Sequence, residues 1–234
     1  MSYLVAKDLV GGYGDTTILH GCSLTADCGR ISVIVGPNGA GKSTAMKAIL
    51  GLVKVTAGSV VLGGKNLDGL SPQARVRRGM AIVPQVENVF PSLTVQENLE
   101  MGAYLRRDPI NDTLEEIYEL FPVLADMRLK TAGNLSGGQR QQLAVGRALM
   151  TKPTTVLLDE PTAGVAPIVI ATLFDMIIRV AERNIAILMC EQNASQALAI
   201  ADVGFVLVQG RNRHTGSGPE LLANPEVRRS FLGG

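Results

Sequence analysis

Apolar residues fall along this chain in blocks of two periodicities, and the order of the blocks predicts an architecture. Residues 4–10, 17–26 and 30–35 read as strands, with Gly11, Gly12 and Gly14 punctuating the first turn. A glycine-rich loop over residues 36–43 leads into a helix at 42–50, and Gly51 is its stop signal. Residues 59–62 form a further strand. Ser71-Pro72 opens a short helix as N-cap plus first-turn proline, and residues 80–83 form a short buried strand ending at Pro84-Gln85.

The pattern then changes. Thr94 with Glu97 is a capping box, and the spacing beyond it is helical through Leu105. Asn111-Asp112 starts a helix with Leu114, Ile117, Tyr118, Leu120 and Phe121 on its periodic face. Ser136 with Gln139 caps another, which runs into Leu143, Val145, Ala148 and Leu149. Residues 86–150 therefore read as all-helical. Beyond them strands at 155–158, 185–189 and 203–208 alternate with helices at 167–183 and 193–201, and residues 218–234 read as short helical pieces. Unbroken apolar strands alternating with helices predict an α/β fold with a mostly parallel sheet covered on both faces.

Composition narrows the class. The chain has 234 residues, 46% hydrophobic and 18% charged, which suits a packed core rather than disorder. A formal net charge of +1 gives no electrostatic case for nucleic acid. Arg75, Arg77 and Arg78, and Arg106 with Arg107, read as solvated helix faces. The first residues lack a basic region followed by a long apolar one, so no signal peptide is expected. The longest apolar region, 165–189, is broken by Asp175, Arg179, Glu182, Arg183 and Asn184, so no membrane span is expected. Three cysteines without CxxC spacing and two distant histidines offer neither a zinc site nor a disulfide framework, and a reducing cytosolic setting is expected.

The candidate chemistry begins at Gly36-Pro-Asn-Gly-Ala-Gly-Lys-Ser43, which matches G-x-x-x-x-G-K-[ST] between a strand and a helix, the context of a P-loop. Its glycines let backbone N–H groups curl around phosphate, and the helix N-terminus adds partial positive charge. Lys42 is expected to reach the β- and γ-phosphates and Ser43 to ligate Mg²⁺. The strand ending Leu158-Asp159-Glu160 supplies two acids whose side chains diverge. Asp159 is assigned to Mg²⁺, and Glu160 to orienting the attacking water and accepting its proton. Leu135-Ser-Gly-Gly-Gln139 opens a helix and makes a second anion-binding N-terminus, which suggests that two chains share a nucleotide.

A P-loop, a strand ending Asp-Glu and "LSGGQ" shortly before it resemble the nucleotide-binding subunit of ATP-binding cassette (ABC) transporters, over essentially the whole chain. That resemblance implies a P-loop core (1–85 and 151–234) with an N-terminal antiparallel β part and an inserted helical subdomain (86–150). It also implies a head-to-tail dimer with ATP and Mg²⁺ between the P-loop and the opposite signature helix. Carried over by position, Tyr13 stacks on adenine, and Gly36, Pro37, Asn38, Gly39, Ala40, Gly41, Lys42, Ser43 and Thr44 cradle phosphate. Gln85 touches Mg²⁺ or water and senses the membrane partner. Ser136, Gly137, Gly138 and Gln139 meet the γ-phosphate of the opposite subunit's ATP. "FPSLTVQENLEMGAY", "YELFPVLADM", "GRALMTKP", "EPTAGVAP" and "CEQNASQAL" are similar to the second ATPase subunit of branched-chain amino-acid importers. That branch implies transmembrane permease subunits, a second and different ATP-binding subunit, an indirect solute-binding protein, and a peripheral place on the cytoplasmic face of the membrane. Urea, amide or lipid-type cargo, and a soluble ABC-type ATPase driving a non-transport assembly, are the alternatives.

Two positions depart from the wider family. Ala163-Gly-Val-Ala166 stands where Ser-Ala-Leu-Asp is usual, so the aspartate that links the two sites is absent. The histidine expected after the next strand is Gln192. The glutamine could substitute as a neutral hydrogen-bond donor, the site could be slow, or a partner subunit could supply the better site. The first reading is favoured because every other catalytic element is present.

Overall fold

The strands with no polar face lie between two layers, because neither side of them tolerates water. The computed structural model describes residues 3–86 and 88–231. Met1, Ser2, Glu87 and residues 232–234 lie outside it, so the outer limits of the expected core, the second residue of the expected helical insertion and the end of the helical tail fall beyond the described residues. In chain order the elements are β1 (Leu4–Tyr13), β2 (Thr16–Ala26), β3 (Ile31–Val35), α1 (Lys42–Leu50), β4 (Lys54–Leu62), β5 (Lys65–Asn66), α2 (Pro72–Val76) and β6 (Met80–Val83). There follow α3 (Val95–Gly102), α4 (Asn111–Leu120), α5 (Pro122–Asp126), a 3₁₀ turn (Ala132–Asn134) and α6 (Gly137–Leu149). The chain closes with β7 (Thr155–Asp159), α7 (Pro167–Ala181), β8 (Ala186–Cys190), α8 (Ala194–Ala199), β9 (Val203–Val208), β10 (Arg211–Gly216), α9 (Gly218–Ala223) and α10 (Pro225–Phe231).

One sheet runs β10-β9-β3-β8-β7-β6, parallel except for β10, which pairs antiparallel with β9 at the edge. The other is antiparallel, in the order β2-β1-β4-β5. Alternation along the central strands assigns each residue to a layer. Val33, Val35, Val156, Leu158, Ile187 and Met189 pack with the helices, in one cluster with Leu99, Ile117, Leu124, Leu143 and Ile177. Ile34, Leu157, Leu188 and Cys190 face the other way, onto α1 and the antiparallel sheet, with Met46, Ile49, Leu9 and Leu19.

The expected helices between the strands are present, and their caps form as the sequence specifies. Thr94 and Ser136 each accept from the backbone N–H three residues on, while Glu97 and Gln139 reach back to the N-cap N–H. Gly146 lets the elements close up, since a Cβ there would lie 3.0 Å from Leu99 and 3.2 Å from Ile117. The helix expected to reach Leu105 stops at Gly102, whose Cα lies against the Arg147 carbonyl. Asn193 caps α8 rather than starting it. The antiparallel strand β4 begins at Lys54 rather than 59, because its first half is mostly exposed and carries no apolar signal. Strands β5 and β10 give no sequence signal for the same reason.

Two arginines depart from expectation. Arg75 is buried, and its guanidinium donates to the carbonyls of Ala48 and Ile49 at the C-terminal end of α1, at 3.3 and 2.6 Å. A cation there answers the negative end of the helix dipole. The largely buried Arg106 side chain donates to Thr113 Oγ1 and to the Met150 carbonyl, each at 2.9 Å, and pairs with Asp108. Both are internal braces rather than solvated charges. Among the described residues no helix is long and apolar enough to cross a membrane.

The three thiols differ in exposure and acidity. Burial pushes Cys22 up to about 12. Burial first, and then the Asp159 charge, hold Cys190 well above the ordinary thiol range, while Cys28 is only partly covered. Reaction requires an accessible thiolate. A maleimide at neutral pH is therefore expected to label Cys28 alone in the native protein and all three cysteines after unfolding. Mass spectrometry of the labelled peptides checks this, and native labelling of Cys22 or Cys190 would contradict the packing.

Candidate functional site

Pairing register brings the site together. Cys190 at the end of β8 lies beside Ile34 of β3 on one side and Asp159 of β7 on the other. Three strand ends and the loops that follow them thus share one crevice at the carboxyl edge of the sheet, where open α/β folds place ligands. Loop 36–41 leaves β3 and turns into α1. Gly36 has φ 151° and packs against the Leu207 carbonyl, while Gly39 and Gly41 are left-handed at 79° and 98°. Only glycine adopts these shapes without strain. The result is a loop of backbone N–H groups ahead of a helix N-terminus.

Lys42 is almost fully buried and donates to the carbonyls of Gly36 at 2.9 Å and Pro37 at 3.2 Å, so its charge spans the loop. Asp159 Oδ1 accepts from the Ser43 hydroxyl and from the Cys190 thiol, each at 2.8 Å. Glu160 follows in a left-handed conformation, φ 49°, and its N–H donates to the Cys190 carbonyl. That conformation carries a cost for a non-glycine residue, and Asp8, Lys152, Asn184 and Gln209 share it. Glu160 Oε2 accepts from Gln85 Nε2 at 2.7 Å and from Gln192 Nε2 at 2.8 Å.

Sequence-selected residues from five separate segments therefore meet. A cavity of about 290 Å³ is lined by Tyr13, Ile18, residues 38–44 and Glu160. A neighbouring one of about 260 Å³ touches Gly36, Pro37, Asn38 and Gln192. Tyr13, at the end of β1, is half-exposed at the first. Ser136 to Gln139 line neither. Ser136 is exposed at the start of α6, Gly137 lies against the Gly164 carbonyl, and a Cβ on Gly138 would come within 2.6 Å of Val169.

Two residues of the site carried no role in the sequence reading. Cys190 braces Asp159. Glu191, 1% exposed, accepts from Thr162 N–H, Thr162 Oγ1 and Gln192 N–H. Burial raises the Glu191 carboxyl above the ordinary range, and the hydrogen bonds from Thr162 and Gln192 oppose that rise. The available signal was position: a carboxylate directly after five buried strand residues has little access to water.

A glycine-rich loop ahead of a helix N-terminus, an adjoining lysine and a strand-end Asp-Glu pair have the pattern of a P-loop nucleotide-binding ATPase. The chain belongs to the ABC transporter family, whose model matches residues 19–163. It is 41% identical to the high-affinity branched-chain amino acid transport ATP-binding protein BraG of Pseudomonas aeruginosa, across 95% of this chain and 96% of that one. It is 38% identical to a probable branched-chain amino acid transport ATP-binding protein, LivF, of Archaeoglobus fulgidus, across 96% of both. The lipopolysaccharide export system ATP-binding protein LptB of Escherichia coli K12 is 32% identical, covering 100% of this chain and 98% of that one. Among solved structures, an ATP-binding cassette of an ABC transporter in its ADP conformation superposes over the full length of both chains with TM-score 0.88 at 28% identity. A nucleotide-free cassette does so with TM-score 0.86 at 27%.

The loop geometry separates two alanine variants. Gly39→Ala meets no neighbouring atom and carries only the left-handed penalty, about 1–2 kcal/mol. Gly36→Ala also drives its Cβ into the Leu207 backbone carbonyl. Denaturant unfolding is expected to show a distinctly larger loss for Gly36→Ala, and equal losses would contradict the loop conformation described.

Proposed function

We propose that this chain is the ATP-hydrolysing subunit that powers a membrane importer for branched-chain or other hydrophobic amino acids. The observation that carries the hydrolytic part is Glu160, held in a strained turn beside the P-loop with two amides on one carboxylate oxygen. The cargo class is supported by the near full-length similarity to BraG and LivF. Lipid-type cargo is the second reading, favoured by the similarity to LptB.

The nucleotide is the substrate. The amides of residues 36–44 receive its phosphates, and Tyr13 stacks on adenine. Lys42 exchanges the carbonyls of Gly36 and Pro37 for β- and γ-phosphate oxygens, whose full charge attracts it more strongly. Mg²⁺ fits the oxygen donors present: the Ser43 hydroxyl and Asp159 carboxylate adjoin, with the Gln85 side chain nearby on Glu160. Among the described residues no cluster of three acidic, cysteine or histidine ligands exists, and Mg²⁺ at a phosphate site needs none, because phosphate oxygens and water complete its shell. When bound, the ion neutralises charge on the β- and γ-oxygens.

With both amides on Oε2, Oε1 of Glu160 is the oxygen that orients water and takes its proton. The water oxygen attacks the γ-phosphorus, the bridging oxygen leaves with ADP, and inorganic phosphate is released. Gln192 contributes a neutral donor at this point. Ser136, Gly137, Gly138 and Gln139 lie outside the pocket of their own chain and face the ATP of a second, non-identical ATP-binding subunit. The P-loop core, 1–85 and 151–234, holds the nucleotide, and the helical subdomain, 86–150, carries the signature residues. The exposed Val86, Phe90, Met101 and Tyr104, the last at 80%, follow Gln85 along the chain and suit permease subunits at the cytoplasmic membrane face. A solute-binding protein acts indirectly through those subunits.

Glu160→Gln is expected to retain ATP binding and ATP-dependent dimerisation while turnover falls by about 10²-fold or more. Size exclusion with ATP and a phosphate-release assay, both with the second ATP-binding subunit present, check this, and undiminished turnover would remove Glu160 from the mechanism. A second expectation concerns pH. The switch position is an amide, so the rate profile should lack an imidazole inflection near ~6.5 arising there, and Gln192→His should introduce one. An inflection in the wild type that vanishes in Gln192→Ala would overturn it.

A further inference from the structure

Glu191 is a buried carboxylate to which the hydrolytic steps above give no task. Its two oxygens take three donors: Thr162 N–H at 2.9 Å on Oε1, and Thr162 Oγ1 at 2.8 Å and Gln192 N–H at 3.2 Å on Oε2. Its own N–H donates to the Ile34 carbonyl in β3. A carboxylate removed from water is costly unless such bonds replace its hydration, so a site that keeps one there uses what those bonds hold.

They hold both sides of Glu160. Thr162 lies two residues beyond it, in a turn closed by the Ala163 N–H donating back to the Glu160 carbonyl. Gln192 supplies one of the two amides on the Glu160 carboxylate. We infer that Glu191 is a positioning residue for ATP hydrolysis, clamping the turn that carries Glu160 to the loop that carries Gln192. At 1% exposure it faces no open crevice and acts through Thr162 and Gln192. It sets the angle at which Glu160 is presented, and small misplacements of a catalytic group cost rate steeply. Nucleotide binding rests on the P-loop, which these bonds do not form.

This role rests on Glu160 acting on the water, and the experiment separates the two. ATP turnover of the full chain is measured for Glu191→Ala, Glu191→Gln, Thr162→Val and Glu191→Ala/Thr162→Val, with Glu160→Gln alongside and thermal unfolding recorded for each. Glu191→Ala is expected to lower kcat about ten-fold or more while KM for ATP stays within about two-fold. Thr162→Val should lower kcat by a smaller factor. Glu191→Gln, whose carbonyl oxygen can still accept from Thr162, should recover part of the rate. The double variant should be no slower than Glu191→Ala, because both changes break one contact. Wild-type kcat in folded Glu191→Gln and Thr162→Val, losses that multiply in the double variant, or KM rising in step with the fall in kcat would each overturn the assignment. Should Glu191→Ala fail to fold, the other two single variants decide. Full turnover in Glu160→Gln would instead remove the reading on which the role depends.

Discussion

Everything at this site depends on β8 lying between β3 and β7 in a register that sets Cys190 beside both Ile34 and Asp159. The P-loop, the acidic pair and Gln192 come from distant parts of the sequence, and no local preference could align them. Parallel pairing does so because strand ends in one sheet stop at one edge. The backbone bonds that continue the ladder, Glu160 N–H to the Cys190 carbonyl and Glu191 N–H to the Ile34 carbonyl, carry that alignment one residue past the strands. A one-residue slip would also turn Asp159 away from Ser43 and reverse which face of each strand meets the helices.

That scaffold lets the site hold charges and strain that would be unfavourable alone. Lys42 is nearly buried without a carboxylate on it, satisfied by loop carbonyls. Its charge is thereby stored close to where phosphate would bind. Glu160 occupies a left-handed conformation that a mobile loop would relax, and the bonds on both sides of it resist that relaxation. Rigid strands behind and hydrogen-bonded turns in front are what keep an acid aimed in a low-dielectric crevice.

The sequence disclosed most of this. Unbroken apolar runs located the buried strands, and capping pairs located the helices at Thr94 and Ser136 to within a residue. The P-loop and the Asp-Glu strand end were legible because phosphate chemistry demands particular residues at a fixed spacing. What escaped was set by tertiary contact. β10 carries no apolar alternation and exists because β9 offers it an edge. Arg75 and Arg106 look like surface charges until the carbonyl ends of α1 and α6 come to meet them. Glu191 carries no sequence signal beyond its place at a strand end, and only the approach of Thr162 from another loop explains a carboxylate there.

Gln192 and the missing aspartate are best considered together. Ala163 to Ala166 carry no side chain able to bridge two sites by charge, yet this loop is far from idle. Its first end is held at Thr162 by Glu191, which also holds Gln192. Its middle presents the Gly164 carbonyl to Gly137, and Val169, early in the helix after it, packs on Gly138. The loop that carries Gln192 and the glycines Gly137 and Gly138 are thus linked through a single short segment. Backbone and van der Waals contact therefore join the loop that carries Gln192 to the start of α6. Such contacts are short-ranged and stiff, so they transmit displacement rather than charge. Neither Gln192 nor residues 163–166 carry a side chain that titrates near neutral pH, so this connection does not depend on a proton.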